Sequence, residues 1–429
     1  MKFCSQAFVA LLLTSGRVDG ASSVRQGNRK VEADSIAESL RYLQEQEEQE
    51  QDEPSLIESQ FGPNPYANHD DPFQLVLQGE FSLLNVFVPP LTLSEPRADF
   101  CNFSFQSQKL DPSQTPFYVD LIGQSQHCLE HGFSVPFEKA AEECRAYDSK
   151  PSSKTHSMTP KGFIFHEPKA GASLLSNAIA VASPDTTRVI SHSQAISNVL
   201  DACGNNNNPE CDREHQIQLL KDVVYLLGRT RDPQETQMYI TLDPKATVHL
   251  DLWKQAFPEV PWMFVYRDPD TILQKVMNTH EKRMCLKNRR NPTKGLEEFV
   301  RTQSVTLQEL EDEEVCSALV GTYLQKAVEQ YEKESAAPSE QQVARLVNYD
   351  EELLTKEGLH NVLQFLNIHV DQDEEAQTRI EIQRQKKSNA GSEWKGESSS
   401  SDTISQSVIQ ANKKYVHVLH AKATESQQT

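Results

Sequence analysis

From Gly162 onward the sequence alternates short apolar runs with stretches of helical periodicity, a rhythm that few architectures satisfy. In "GFIFHEPKAGASLL" the run Phe163, Ile164 and Phe165 reads as a strand and "PKAGAS" as a turn. Leu174, Leu175, Ala178, Ile179 and Val181 then form one face of a helix. Strands follow at "RVISHS", "MYITLD" and "WMFVYR", and helices at "IQLLKDVVYLLG", "VHLDLWKQAF" and "TILQKVM". This spacing predicts an α/β fold of three layers, a central parallel sheet with helices on both faces and ligands at the carboxyl ends of its strands. The turn after Phe165 lies at such an end.

The rest of the chain reads as appendages. Of the 429 residues, 1–20 look like a signal peptide, with Lys2, an apolar core around Ala7 to Leu13, and small residues before Ala21. That core falls short of the roughly 20 residues needed to cross a bilayer, which leaves an uncleaved anchor as the lesser reading, and no later segment is apolar enough to span. Residues 21–71, rich in Glu and Gln as in "RYLQEQEEQEQDEP", have little to bury and are expected to be a disordered acidic stem. Residues 72–150 form a small N-terminal α+β subdomain, with two strands expected around Gly79 in "FQLVLQGEFSLLNVFVPPLTL" and a helix in "FEKAAEECRAY".

Entry into the secretory pathway, ending in the Golgi lumen or outside the cell, permits disulfides. Eight cysteines include Cys4 in the signal, so the mature chain has an odd number; Cys203 and Cys211, flanking a polar loop, are one possible pair, and the other partners are not deducible. Asn102-Phe103-Ser104 is a glycosylation sequon. His127 and His131 imitate metal-ligand spacing without further ligands, so no metal site is expected. A net charge of −20 argues against nucleic acid as a partner, because that affinity comes from clustered Lys and Arg.

A nucleotide triphosphatase loop would have G-x-x-x-x-G-K-[ST], but here the first Gly and the Lys beside the hydroxyl residue are missing. Instead Pro168, Lys169, Ala170, Gly171, Ala172, Ser173, Leu174 and Leu175 resemble the P-K-S-G-T-[TS]-L-L loop of the P-loop sulfotransferases. The physical logic fits an anion: helix-start N–H groups, a Gly for close approach, a Lys charge and a Ser hydroxyl. "EVPWMFVYRDPDTILQKVM" resembles the family's second motif, and the resemblance implies that Arg267 binds the 3'-phosphate of the sulfate donor PAPS (3'-phosphoadenosine 5'-phosphosulfate). "RLVNYDEELLTKEGLHNVLQFLNI" is similar to the strand, Tyr, acidic pair and helix that come next in these enzymes, with Tyr349 as scaffold.

The resemblance covers residues 160–421 and implies a P-loop-type fold whose donor site comprises Lys169, Ala170, Gly171, Ala172, Ser173, Leu174, Arg267 and Lys275, with no metal. Lys169 would stabilise the leaving phosphate. His192 stands near where relatives carry a catalytic base and is chemically suited to that role, although a strand-end His is also ordinary polar surface. The chain departs from the family in having Ala172 for a hydroxyl residue, Lys275 for a Ser and Thr241 for a Lys. Asp243 could orient a substrate or cap the next helix, and Lys386, Lys387 and Gly391 in "KKSNAGSEWKG" faintly resemble the loop that closes over the 3'-phosphate.

Two readings stay open. One is a sulfotransferase moving the sulfuryl group from PAPS to a hydroxyl of a glycan, protein or small molecule; the other is a catalytically inactive relative that binds a nucleotide or glycan. A kinase-like P-loop enzyme is disfavoured, because neither the loop Lys nor an acidic metal-holding strand accompanies the turn.

Overall fold

The computed structural model describes residues 71–89, 95–125, 128, 132–204, 213–336, 343–370, 372–393 and 404–427. The expected signal, most of the stem, His127, His131 and Cys211 lie outside them.

Besides a two-residue antiparallel pair, His156–Ser157 with Arg229–Thr230, eight strands organise the described residues: β1 (Ser82–Phe87), β2 (Arg97–Cys101), β3 (Phe133–Pro136), β4 (Pro160–His166), β5 (Thr187–Ser191), β6 (Gln237–Thr241), β7 (Trp262–Tyr266) and β8 (Ala344–Asn348). The last five form one sheet in the order β8-β7-β4-β6-β5, and every neighbouring pair is parallel. Burial on both faces explains the apolar run of β7, every residue of which is buried; β5 is buried throughout as well, with its one charge, Arg188, paired to Glu235.

The strand order fixes where a ligand can sit. With right-handed crossovers, the step from β4 to β5 puts helix α3 (Ala172–Ala182) on one face, whereas the steps to β6, β7 and β8 run the other way. They place α4 (Gln194–Gly204), α5 (Arg213–Leu227), α6 (Leu250–Ala256) and the long α9 (Asp312–Ser335) on the opposite face. Packing agrees, since α5 touches α6 and α6 touches α9, while α3 is covered by the late helix α11 (Glu374–Glu393), which follows α10 (Lys356–Phe365). Adjacent strands β4 and β7 therefore send their chains in opposite directions. That is the switch point at which open α/β sheets hold ligands.

Helix α3 is sandwiched between the sheet and α11, so it is apolar nearly all round: Leu174, Leu175, Ala178, Ile179, Ala180 and Val181 are all buried. At its far end the Arg379 guanidinium donates to the carbonyls of Val181 (2.8 Å) and Ala182 (3.4 Å), which the helix itself leaves unpaired.

The N-terminal part corrects one expectation. "FQLVL" is a helix, α1 (Phe73–Leu77), and only the second half of the apolar stretch, β1, is a strand. Alternation over five residues does not separate the two states, and tertiary contacts decided between them. Arg229 donates to the carbonyls of Val76 (2.5 Å) and Leu77 (2.9 Å) at the end of α1, and Gly79, at φ 71°, turns the chain into β1. The same guanidinium holds Asp148, at the end of α2 (Phe137–Asp148), through two hydrogen bonds of 2.9 and 2.7 Å. Strands β1 to β3 form an antiparallel sheet that packs on α4, where Asn198 donates to the Asn85 side chain and the Val86 carbonyl, each at 3.0 Å. Subdomain and main sheet thus lie within a single unit, residues 64–429.

Disulfides join Cys101 to Cys128 and Cys285 to Cys316, and Cys144 is a buried free thiol. The second ties α8 (Glu281–Lys287) to α9. No described helix is long and apolar enough to cross a membrane.

Candidate functional site

Strand β4 ends at His166, and five residues later α3 begins behind Gly171. Gly171 adopts φ 83° as the N-cap, a conformation that disfavours any residue with a Cβ, and it offers no side chain to the first-turn N–H groups. Those donors face the site with the positive end of the helix dipole behind them. Ala170, Ala172 and Leu174 are buried supports, while Ser173 is half-buried in the first turn. Lys169 also takes a left-handed conformation, φ 60°. Its ammonium lies 3.1 Å from Glu281 Oε1, at the start of α8.

Arg267 follows β7 directly. Its main-chain N–H donates to Glu167 Oε2 at 3.1 Å, so the ends of β4 and β7 are laced together at the switch point. Its guanidinium lies over the Tyr349 ring, 4.7 Å from the centroid, and grips Asp350 through Nε (3.1 and 3.2 Å) and Nη2 (3.0 Å). Tyr349 in turn packs against the loop: a Cβ built on Gly171 would fall 2.6 Å from the ring's Cδ2 and nearer still to Cε2. The loop around Gly171 and Arg267, distant in sequence, are thus joined through the Tyr349 ring and the Glu167 carboxyl.

Glu167 is fully enclosed, and burial pushes its carboxyl up to about 8; the N–H of Arg267 works against this shift and the Asp268 charge works with it. A carboxyl that stays protonated in the fold but ionises in the unfolded chain stabilises fully below its unfolded value, near 4.5, and loses that contribution as pH rises through 8. Stability should therefore fall with pH across that window by up to about 1.4 kcal/mol per unit, and Glu167→Gln should flatten the slope. Urea titrations at pH 6, 7 and 8 check this; equal slopes in parent and variant would show that Glu167 is ionised.

His192 stands just beyond β5 with φ 54°, its N–H donating to the Thr241 carbonyl at 2.8 Å. Its ring meets His166, the last residue of β4, with the two Nε2 atoms 3.1 Å apart, and Phe117 of the N-terminal subdomain packs 4.9 Å from it. Burial, and then the neighbouring imidazole, hold His192 down at about 3, and burial lowers His166 as well. Both shifts favour the neutral imidazole at physiological pH. The subdomain, from which no chemistry could be read in sequence, supplies a wall of this site.

Other residues singled out in sequence make contacts of their own or stand in the flanking helices. Lys275 is exposed in the last turn of α7 (Pro269–Met277), beyond the end where Arg267 enters. Thr241 shares a hydrogen bond of 2.6 Å with Ser176 of α3, fastening that helix to β6. Asp243 caps the next helical turn by accepting from the Lys245 N–H at 3.1 Å. Lys386 corrects the expected closing loop: it belongs to α11 and pairs with Asp111 of the subdomain at 2.7 Å, because the chain continues as helix through Glu393. Of Lys387 and Gly391 only the helical backbone is described. No cluster of metal-holding side chains occurs among the described residues.

His166, Glu167, Phe117, Glu281 and Asp350 were not singled out in sequence. The first two immediately precede "PK", and Asp350 belongs to the acidic pair after Tyr349, so only those three carried a local signal.

No protein-family model and no curated protein sequence matches the chain. Solved structures similar to it include the sulfotransferase STF9 from Mycobacterium avium, at 11% identity and a TM-score of 0.37 over 63% of this chain and 76% of that one. The sulfotransferase domain from the Synechococcus PCC 7002 olefin synthase is similar at 14% identity and a TM-score of 0.30, over 63% of this chain and 98% of that one. A sulfotransferase domain from the curacin biosynthetic pathway stands at 11% and 0.30, over 60% and 98%. At such TM-scores the likeness carries no argument, and the functional reading rests on this chain's own residues.

Proposed function

We propose that the chain is a sulfotransferase, which transfers the sulfuryl group from PAPS to a hydroxyl of a glycan, protein or small-molecule acceptor. One observation supports this above the others. Among the described residues only four non-glycine residues have positive φ, and two of them, Lys169 and His192, are the side chains that the resemblance singles out for catalysis. Strain of this kind costs about 1–3 kcal/mol and persists where surrounding structure enforces it, most often at functional sites.

In this reading the first-turn N–H groups of α3, with Lys169 and Ser173, hold the phosphosulfate end of the donor, and Arg267 holds the 3'-phosphate. Lys169 neutralises charge on the departing phosphate, and His192, uncharged at neutral pH, takes the proton of the acceptor hydroxyl. The proposed setting is the lumen of the secretory pathway, and the two disulfides support it.

A second reading, an inactive relative that binds a nucleotide or glycan, draws support from the carboxylates already held by Lys169 and Arg267 and from Thr241, fixed to Ser176 where relatives carry a Lys. Adenosine 3',5'-bisphosphate tests the donor site for both. At 100 times its Kd it should stabilise the purified protein by about 2.7 kcal/mol, read as a rise in Tm. No rise at millimolar nucleotide would refute the donor site. Labelled sulfate transfer to a panel of glycans and peptides then separates enzyme from inactive relative.

A further inference from the structure

We infer that His166 is a positioning residue, which fixes His192 as the tautomer protonated at Nε2 and so directs the acceptor hydroxyl to Nδ1. The inference deepens the sulfuryl-transfer reading and rests on it. It starts from a carbonyl: His166 Nδ1 lies 2.8 Å from the main-chain oxygen of Glu167, which can only accept, so Nδ1 carries the proton. In the neutral ring Nε2 then has a bare lone pair. The group facing it is His192 Nε2, at 3.1 Å, which must therefore be the donor. A neutral His192 protonated there leaves Nδ1 unprotonated, and among the described residues the ring's hydrogen bond is the one that Nε2 makes to His166.

His166 belongs to the strand that runs into the phosphate loop, so the pair ties the base to Lys169 through two intervening residues, Glu167 and Pro168. Around the pair lie the Phe117 ring, the Leu242 carbonyl and the Asp243 and Glu281 carboxylates, the last also the partner of Lys169. In the step, the acceptor O–H proton passes to His192 Nδ1 while the acceptor oxygen bonds to sulfur. The bond from sulfur to the bridging oxygen breaks, and its electron pair leaves with adenosine 3',5'-bisphosphate. The imidazolium so formed keeps its Nε2–H on the bare nitrogen of His166, a charge-assisted hydrogen bond stronger than the neutral one before it. That support requires a neutral His166, because a charged one repels the imidazolium and lowers His192.

The test is a proton–nitrogen correlation spectrum of the full chain labelled with 15N-histidine, the two rings being assigned from His166 and His192 variants. His192 should appear as the neutral Nε2–H tautomer from pH 6 to 8. His166→Phe should shift it to Nδ1–H or to a mixture and lower kcat at least tenfold at unchanged donor KM. His166→Gln, whose side-chain oxygen can accept from Nε2–H, should restore both the tautomer and most of kcat. A wild-type His192 protonated at Nδ1, a doubly protonated His166, or a His166→Phe variant that changes neither spectrum nor kcat overturns the inference. Stabilisation by adenosine 3',5'-bisphosphate is measured on the same samples. If it is absent while the tautomer is as expected, the transfer reading and the acceptor role fall together; if present with the wrong tautomer, only the role of His166 falls.

Discussion

Arg267→Ala should weaken adenosine 3',5'-bisphosphate by about 10–150-fold, and Asp350→Asn should strengthen it by about 3–10-fold. The first figure follows from losing charge-assisted hydrogen bonds worth about 1.5–3 kcal/mol. The second follows from the ion pair, because the guanidinium is already held by Asp350 and a phosphate must displace that carboxylate or share the cation with it. A half-exposed ion pair is worth little on its own, about 0–1 kcal/mol, so removing it frees the arginine at small cost to the fold. Its removal also takes a negative charge away from the incoming anion. Calorimetric titration of the three proteins, with denaturation curves to confirm that each is folded, gives the comparison. If both variants bind like the parent, Arg267 is simply a strand-end residue paired with Asp350, and the donor site lies elsewhere. Glu281, which holds Lys169, invites the same test at the other end of the site.

Gly171→Ala should destabilise the protein by about 2–5 kcal/mol and abolish nucleotide binding. Two costs add. A Cβ at φ 83° carries about 1–2 kcal/mol of left-handed strain, and overlap with a packed ring adds about 1–3 kcal/mol. The ring is Tyr349, whose atoms a methyl group at this position would overlap. Tyr349 cannot retreat freely, because the Arg267 guanidinium rests on its other neighbours and on its face. The damage should therefore spread from the loop to the arginine. Chemical denaturation reads the stability and titration reads the binding; a loss under about 1 kcal/mol would show that the tyrosine swings away without resistance.

The alternation beginning at Gly162 was enough to fix the class of fold, since strands buried on both faces are largely apolar and their crossover helices must pack on them. Periodicity failed where segments were short. "FQLVL" alternates like a strand, but its terminal carbonyls bind Arg229, more than 150 positions away, and it is a helix. "KKSNAGSEWKG" only faintly resembles the closing loop, and its first part continues α11, with Lys386 bound to Asp111.

The chain's own order of residues determined the anion cradle: a strand, a lysine, a glycine that alone tolerates φ 83°, and a helix start are consecutive, so local sterics and backbone N–H groups suffice to specify them. What surrounds the cradle was decided only when the sheet assembled. The order β8-β7-β4-β6-β5 set Arg267 beside Glu167, laid Tyr349 against Gly171, turned Asp350 and Glu281 onto the two cations and brought His166 to His192 under Phe117. These partners are scattered from residue 117 to residue 350, and side chains so far apart leave no periodic trace in sequence. Their meeting depends on which strands lie side by side, and no stretch of the chain encodes that alone.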